Sequence, residues 1–98
     1  MDPAPAVFDA ARPWELNEQV ALRPEPFGAL AYHFGTRRLS FLKSRKLLEV
    51  VEALGEREDA RSACAAAGVT DAELPAYLAA LGTLAGSGMI REREAVPS

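Results

Sequence analysis

The spacing of apolar residues in this 98-residue chain changes once, near Phe41. Before that point, apolar residues recur at every second position, a period typical of half-buried β-strands. After it they recur at every third or fourth position, as in Leu47, Val51 and Leu54, which indicates a helix with one apolar face. Strands followed by helices predict an α+β domain whose helices cover one face of a small sheet.

The part of the chain before this change predicts an antiparallel meander of three strands. The first strand spans residues 16–23 and ends in a turn at residues 24–26, whose sequence is Pro-Glu-Pro. The second strand runs over residues 27–34. Gly35 and Thr36 are predicted to form a two-residue type II′ turn, because glycine accepts the positive φ that the first loop position requires. The third strand then ends near Phe41.

This turn fixes the pairing of the second and third strands. It sets Tyr32 opposite Leu39 and Leu30 opposite Phe41, which brings apolar side chains together across the two strands. Counting back through the Pro-Glu-Pro turn sets Val20 opposite Leu30.

The alternation also predicts which side of the second strand is buried. We expect the larger side chains to face the core: Leu30, Tyr32 and Phe34. The smaller or polar side chains would face outward: Ala29, Ala31 and His33. The His33 ring, opposite Arg38, is then expected to be solvated or hydrogen-bonded.

Three helices are predicted after the strands. The first begins after Ser44, a favourable N-cap residue, and ends at Gly55. The second is short and rich in alanine. It is entered through Glu58 or Asp59 and closed by Gly68.

The third helix is predicted to start near Asp71. Thr70 and Glu73 have the spacing of a capping box, and Pro75 is tolerated because it lies in the first turn. The apolar positions of this helix are Leu74, Leu78, Leu81 and Ala85, with Tyr77 and Leu84 at the margin. The sequence Met-Ile-Arg-Glu-Arg-Glu at residues 89–94 then either forms a short strand or frays.

Length and composition limit the domain and its partners. We expect a single domain over residues 14–92, with a flexible tail at residues 1–13 that is rich in Ala and Pro, and a second tail at residues 93–98. The formal net charge of −3 argues against broad electrostatic attraction to nucleic acid or to an anionic membrane. Because we find neither a secretion signal nor a long apolar segment, we expect a cytoplasmic protein.

No combination of residues predicts an enzyme, a cofactor site or a metal site. Cys64 lies among alanines and is expected to be a small buried apolar residue. Neither Cys64 nor His33, the only histidine, has a partner for nucleophilic catalysis, and the two lack a metal-ligand spacing. Carboxylates such as Glu49 and Glu52 have the spacing of a solvated helix surface.

A helix-turn-helix motif is predicted at residues 63–81, and this motif raises the main alternative function, DNA binding. A recognition helix requires Arg, Lys, Asn or Gln on its outer face to contact phosphates and bases. The chain has no Lys or Arg between Asp71 and Ile90. Asp71 and Glu73 would also stand where a phosphate should bind, so we interpret the motif as a structural pair of helices.

The third strand combines a predicted sheet edge with most of the basic residues in this half of the chain. These are Arg37, Arg38, Lys43, Arg45 and Lys46. The unpaired N–H and C=O groups of an edge can accept a strand from another chain. Alternatively, Arg37 and Arg38 protect the edge against aggregation while the other three basic residues solvate the start of the first helix, or the edge mediates self-association. The residue pattern by itself leaves these possibilities open.

The sequence of residues 23–44, RPEPFGALAYHFGTRRLSFLKS, resembles the peptide chaperones of mycofactocin biosynthesis, which belong to the PqqD-like family of RiPP recognition elements. The resemblance extends over roughly residues 12–90. It implies a pseudo winged helix-turn-helix fold. It also implies a non-enzymatic function, in which the protein binds the leader segment of a ribosomally made precursor peptide and delivers the peptide to a radical SAM maturase.

In that family the leader lies as an added strand against the third strand, in a groove beside the third helix. The resemblance therefore implies backbone contacts at Arg37, Arg38, Leu39, Ser40 and Phe41. It implies side-chain contacts at Leu74, Tyr77, Leu78 and Leu81. The chain lacks the CxxxCxxC motif of radical SAM enzymes, so the chemistry would belong to the maturase, and neither nucleic acid nor a membrane is an expected partner.

Overall fold

A computed structural model describes residues 8–93 of the chain. Its strands are β1 (Trp14–Leu16), β2 (Val20–Glu25), β3 (Gly28–His33), β4 (Leu39–Leu42) and β5 (Ile90–Glu92). Its helices are α1 (Arg45–Ala53), which continues into a 3₁₀ turn (Leu54–Glu56), α2 (Ala60–Ala66) and α3 (Leu74–Gly86). Strands β2, β3 and β4 form an antiparallel sheet in that order, and three helices follow. The predicted α+β fold is confirmed.

The pairing of β3 with β4 agrees with the prediction. Leu30 lies opposite Phe41, and Tyr32 lies opposite Leu39. Gly28, at the start of β3, has a φ of 152°, and a Cβ atom there would lie 2.1 Å from the carbonyl oxygen of Leu42. Glycine at this position therefore permits the close approach of the two strands.

The loop between β3 and β4 is longer than predicted. The N–H of His33 donates to the carbonyl of Arg38 (2.9 Å), and the N–H of Arg37 donates to the carbonyl of His33 (2.7 Å). Residues 34–37 form the loop, and the positive φ falls on Arg37 (63°) and not on Gly35. The predicted type II′ turn is therefore wrong. The register is nevertheless retained, because the longer loop adds one residue on each side.

The pairing of β2 with β3 differs from the prediction. Val20 lies opposite His33, so its predicted pairing with Leu30 is wrong. The cause is the length of the strand, since β2 continues through the predicted turn to Glu25 and leaves only residues 26–27 to reverse the chain.

The buried face of the sheet is also the opposite of the predicted one. The inner face of β3 carries side chains that are at most 5% exposed: Ala29, Ala31 and His33. The other face carries side chains that are half-buried or exposed: Leu30, Tyr32 and Phe34. The prediction failed because α1 packs directly on β3, and small side chains allow the helix to come close enough to fill the interior.

Two helix starts are confirmed. The Ser44 hydroxyl accepts a hydrogen bond from the N–H of Leu47 (3.0 Å) at the start of α1. The Asp59 carboxylate accepts one from the N–H of Ser62 (2.7 Å) at the start of α2. This bond to the backbone holds the pKa of Asp59 below its usual value. Cys64 in α2 is fully buried, and burial raises the pKa of its thiol.

The predicted capping box before α3 is present. The N–H of Glu73 donates to the Thr70 hydroxyl (3.2 Å), and the N–H of Thr70 donates to the Glu73 carboxylate (3.0 Å). The helix itself begins at Leu74, three residues later than predicted.

Strands β1 and β5 form a second, two-stranded sheet in which Trp14 lies opposite Glu92. Within the segment predicted either to form a strand or to fray, Ile90–Glu92 therefore form a strand. The Trp14 side chain is buried, its indole N–H donates to the carbonyl of Asp9 (2.8 Å), and its ring lies 4.8 Å from that of Phe8. Of the predicted tails at residues 1–13 and 93–98, residues 1–7 and 94–98 lie outside the described residues, and the predicted domain limits stay a prediction.

Candidate functional site

Strand β4 is one edge of the three-stranded sheet, and within residues 8–93 it pairs only with β3. The hydrogen bond from His33 to Arg38 sets the alternation of backbone groups along β4. By this alternation Ser40 and Leu42 direct their N–H and C=O groups toward β3. Leu39 and Phe41 direct theirs away from the sheet, so β4 presents an edge with outward donors and acceptors.

Strand β2, the other edge of this sheet, has fewer free outward donors than β4, and the N–H of Val20 already donates to the carbonyl of Asn17 (2.9 Å). The N–H of Phe34 donates to the carbonyl of Gln19 (2.8 Å), and the same alternation directs the backbone of Val20, Leu22 and Pro24 outward. Proline has no N–H group and protects a sheet edge from further pairing. Of the two edges, β4 is therefore better suited to accept another strand.

A groove runs between β4 and α3. Two depressions, of about 340 and 120 Å³, lie along it and share Lys43, Leu47 and Ala80 in their lining. Ser40 and Phe41 line it on the β4 side. The residues of α3 that line it are Ala76, Tyr77, Ala80, Thr83 and Leu84. Because most of these are small, the groove has room for the apolar side chains of a ligand.

The sequence-predicted site residues on β4 and its loop lie together. Ser40 and Phe41 line the groove, and the outward backbone of Leu39 lies at the edge beside it. Arg37 and Arg38 are exposed in the loop before β4, and within the described residues neither forms a salt bridge.

The sequence-predicted site residues on α3 are more dispersed. Tyr77 lines the groove, but Leu81 is fully buried in the core. Leu78 lines a different depression, together with Phe8. Leu74 is half-buried and packs against the core. The face of α3 that lines the groove is thus not the face that carries most of its leucines.

The small α3 residues of the groove, Ala76, Ala80 and Thr83, were missed by sequence reasoning. Their signal is their spacing of three and four residues, which places them on one helix face. This spacing alone does not distinguish a groove wall from a surface that faces solvent.

Contacts between side chains hold the start of α3 beside the start of α1. The Tyr77 hydroxyl lies 3.4 Å from the Ser44 hydroxyl, and Lys46 Nζ donates to the Glu73 carboxylate (2.9 Å). The hydrogen bond to Glu73 raises the pKa of Lys46, while hydrogen bonds from the Thr70 backbone and from Lys46 lower the pKa of Glu73. These contacts fix one end of the groove.

The loop before β4 is anchored by His33. The ring is buried, and its Nδ1 atom accepts hydrogen bonds from the N–H groups of Gly35 (3.0 Å) and Thr36 (3.1 Å). The expectation of a hydrogen-bonded ring is confirmed, and the expectation that it lies on the outer face is wrong. The buried ring positions the loop that carries Arg37 and Arg38.

No group of three His, Cys, Asp or Glu residues that could hold a metal ion is present in the described part of the chain. None of the helices within residues 8–93 has the length and apolar character needed to cross a membrane.

Comparison with known proteins identifies the family of this chain. The Peptide chaperone MftB family matches residues 13–91. The chain belongs to this family. The resemblance seen in residues 23–44 is thereby confirmed.

Three relatives carry the name Peptide chaperone MftB. The relative from Mycobacterium ulcerans is 58% identical, over 95% of this chain and 92% of its own length. The relative from Mycobacterium tuberculosis is 59% identical, over 89% and 80% of the two chains. The relative from Mycolicibacterium smegmatis is also 59% identical, over 85% and 81%. No solved structure matches this chain.

Proposed function

We propose that this protein is a non-enzymatic chaperone that binds the leader of the mycofactocin precursor peptide and presents the peptide to a radical SAM maturase. Its family name supports a peptide partner. The proposed mode of binding is supported by the outward backbone groups of Leu39 and Phe41, which lie beside the groove. A leader strand would pair with this edge and place every second side chain in the groove.

Burial in the groove would supply most of the affinity. Each aliphatic side chain of the leader that is buried between β4 and α3 would contribute about 1.5–3 kcal/mol before ordering costs are subtracted. The backbone hydrogen bonds to β4 would each add about 0.5–1.5 kcal/mol and would fix the direction and register of the leader.

The basic loop would affect the rate of capture more than the strength of binding. Arg37 and Arg38 are exposed, and exposed ion pairs contribute only about 0–1 kcal/mol each. Positive charge beside the edge would nevertheless orient an acidic leader and speed its association. The protein would thus hold the peptide, while the modification chemistry takes place on the maturase.

The test of this proposal is Leu39→Pro, with Leu39→Ala as the matched control. Proline removes the outward N–H without removing a bond to β3, so the domain should still fold. We expect leader affinity to fall about tenfold or more in the proline variant, the effect of losing roughly 1.4 kcal/mol. The alanine variant should stay within about threefold of wild type, because it keeps the N–H and loses only a half-exposed side chain.

Fluorescence anisotropy with a labelled leader peptide measures both affinities, and circular dichroism confirms folding. Wild-type affinity in a folded Leu39→Pro variant would rule out strand addition at β4. Titration with a DNA duplex at two salt concentrations tests the alternative function, because DNA binding should weaken steeply as salt rises. The absence of Lys and Arg from residues 71–90, which include all of α3, argues against that alternative.

A further inference from the structure

The outer face of the three-stranded sheet carries a stripe of large apolar side chains. We call it the outer stripe; it consists of Phe27, Leu30, Tyr32, Phe34, Leu39 and Phe41. Four of these side chains are 46–61% exposed: Phe27, Phe34, Leu39 and Phe41. An exposed apolar patch of contiguous side chains is uncommon on a monomeric protein and marks a surface that meets a partner.

The outer stripe is continuous along the whole of β3. At one end, the ring centroids of Phe27 and Phe41 lie 6.1 Å apart. At the other end, the ring centroids of Tyr32 and Phe34 lie 5.2 Å apart, with the rings edge to face. Between these pairs, Leu30 lies opposite Phe41 and Tyr32 opposite Leu39. Side chains directly opposite one another in an antiparallel pair share one face and touch. The stripe is therefore held in place by its own contacts.

The charge of this sheet is opposite to that of the whole chain. Residues 20–43 contain four Arg or Lys side chains and one side-chain carboxylate, that of Glu25. The rest of the chain contains seven Arg or Lys side chains and thirteen side-chain carboxylates. Arg23 lies opposite Leu30 on the outer face, its side chain is 80% exposed, and it forms an ion pair with Glu25 (3.0 Å). A complementary partner surface would be apolar at its centre and acidic at its rim.

We propose that the outer stripe is the docking surface for the enzyme that modifies the bound peptide, and that the enzyme meets it with an apolar, acid-rimmed surface. This inference rests on the proposed function. A leader strand paired with β4 would place its remaining side chains on the outer face, beside Leu39 and Phe41. An enzyme docked on the stripe would contact the protein and the leader at the same time, and would thus distinguish the loaded protein from the free one.

Charge argues against a second copy of this chain as the occupant. In a twofold dimer the same patch meets itself. The exposed side chains of Arg23, Arg37 and Arg38 would then bring positive charge to both sides of the contact, which disfavours it.

The test uses the double variant Phe27→Ser with Phe34→Ser, because both side chains are exposed and neither belongs to the proposed leader contacts. Arg23→Glu is the second variant. Its matched control is Arg61→Glu, at an exposed arginine on α2 outside the sheet. Anisotropy gives the affinity for labelled leader. Isothermal titration with the radical SAM enzyme that modifies the same precursor, with and without leader, gives the affinity for the enzyme.

We expect both variants to bind leader within about twofold of wild type, since surface changes away from a contact have small effects. Enzyme affinity should fall about tenfold or more in the double variant, as for the loss of aromatic anchors at an interface. It should fall about threefold in Arg23→Glu, and the loss should grow smaller as salt is raised. Arg61→Glu should behave as wild type.

Wild-type enzyme affinity in the folded double variant would overturn this inference while leaving leader binding intact. Failure of the wild-type protein to bind leader would instead overturn the proposed function, and the anisotropy measurement shows this without the enzyme. Two further results would also overturn the inference. They are self-association of the wild type that the double variant abolishes, and binding of the wild type to vesicles of phosphatidylserine and phosphatidylcholine.

Discussion

On the inner face of the three-stranded sheet, Ala29 and Ala31 are almost completely buried, whereas on the outer face Leu30 and Tyr32 are half-buried and Phe41 is 58% exposed. The buried side chains are the small ones because a helix packs against them, and close packing requires short side chains beneath it. The larger side chains lie on the face that no described element covers. The more apolar face of a strand is therefore not always the face that packs in the core.

The largest difference in stability between the two faces is expected at two neighbours in β4. Leu42 is fully buried and Phe41 is exposed, although Phe41 is the larger side chain. Leu42→Ala should lower the free energy of unfolding by about 2–5 kcal/mol, because it leaves a cavity in the core. Phe41→Ala should lower it by less than about 1 kcal/mol. Urea denaturation measures both, and equal losses would show that the faces are not distinguished by packing.

A smaller effect is expected from adding volume to the two faces. Ala31 lies on the inner face, and Ala21 lies exposed on the outer face opposite Tyr32. Ala31→Leu should cost about 1–3 kcal/mol of stability, because the larger side chain must push α1 away from the sheet. Ala21→Leu, the matched control, should stay within about 0.5 kcal/mol of wild type. If Ala31→Leu were as stable as the control, α1 would not lie directly on β3.

The smallest effect on stability is expected at the ion pair between Lys46 of α1 and Glu73 at the start of α3. The pKa of Glu73 is lowered in the folded protein. The ionised carboxylate therefore stabilises the fold at pH values above the pKa of an unfolded-chain glutamate, about 4.3, and this stabilisation is lost as the pH falls through the lower pKa of the folded protein. Glu73→Gln should therefore lower the urea midpoint at pH 7, and the difference from wild type should shrink below about pH 4.

Glu52→Gln removes the same charge from the exposed surface of α1 and serves as the control for this ion pair. Its urea midpoint should match wild type at neutral pH. A difference between Glu73→Gln and wild type that persisted unchanged in acid would show that the ionised carboxylate does not hold α3 against α1.

Local chemistry made part of the fold predictable from sequence. The caps at Ser44 and Asp59 depend on side chains within three residues of the bonds that they make, and the pairing of Tyr32 with Leu39 depends on a single short loop. The buried face of β3 could not be predicted in this way. It depends on how closely a helix from a later part of the chain approaches the sheet.

The same limit applies to the candidate site. The edge at Leu39 and Phe41 follows from the order of the strands, which the hydrophobic period predicted. The groove wall does not follow, because the rotation of α3 is set by its packing in the core through Leu81 and Leu84. In this rotation, small residues such as Ala80 face β4. Their small side chains do not mark them in the sequence as positions that contact a ligand.

Amide hydrogen exchange with and without leader peptide tests strand addition most directly. The amides of Leu39 and Phe41 point outward and should exchange at least about tenfold more slowly when leader is bound. The amides of Ser40 and Leu42 already donate to β3 and should change less, and the outward amide of Leu22 in β2 should not change. Saturating leader that leaves Leu39 and Phe41 unprotected, or that protects Leu22 instead, would contradict pairing at β4.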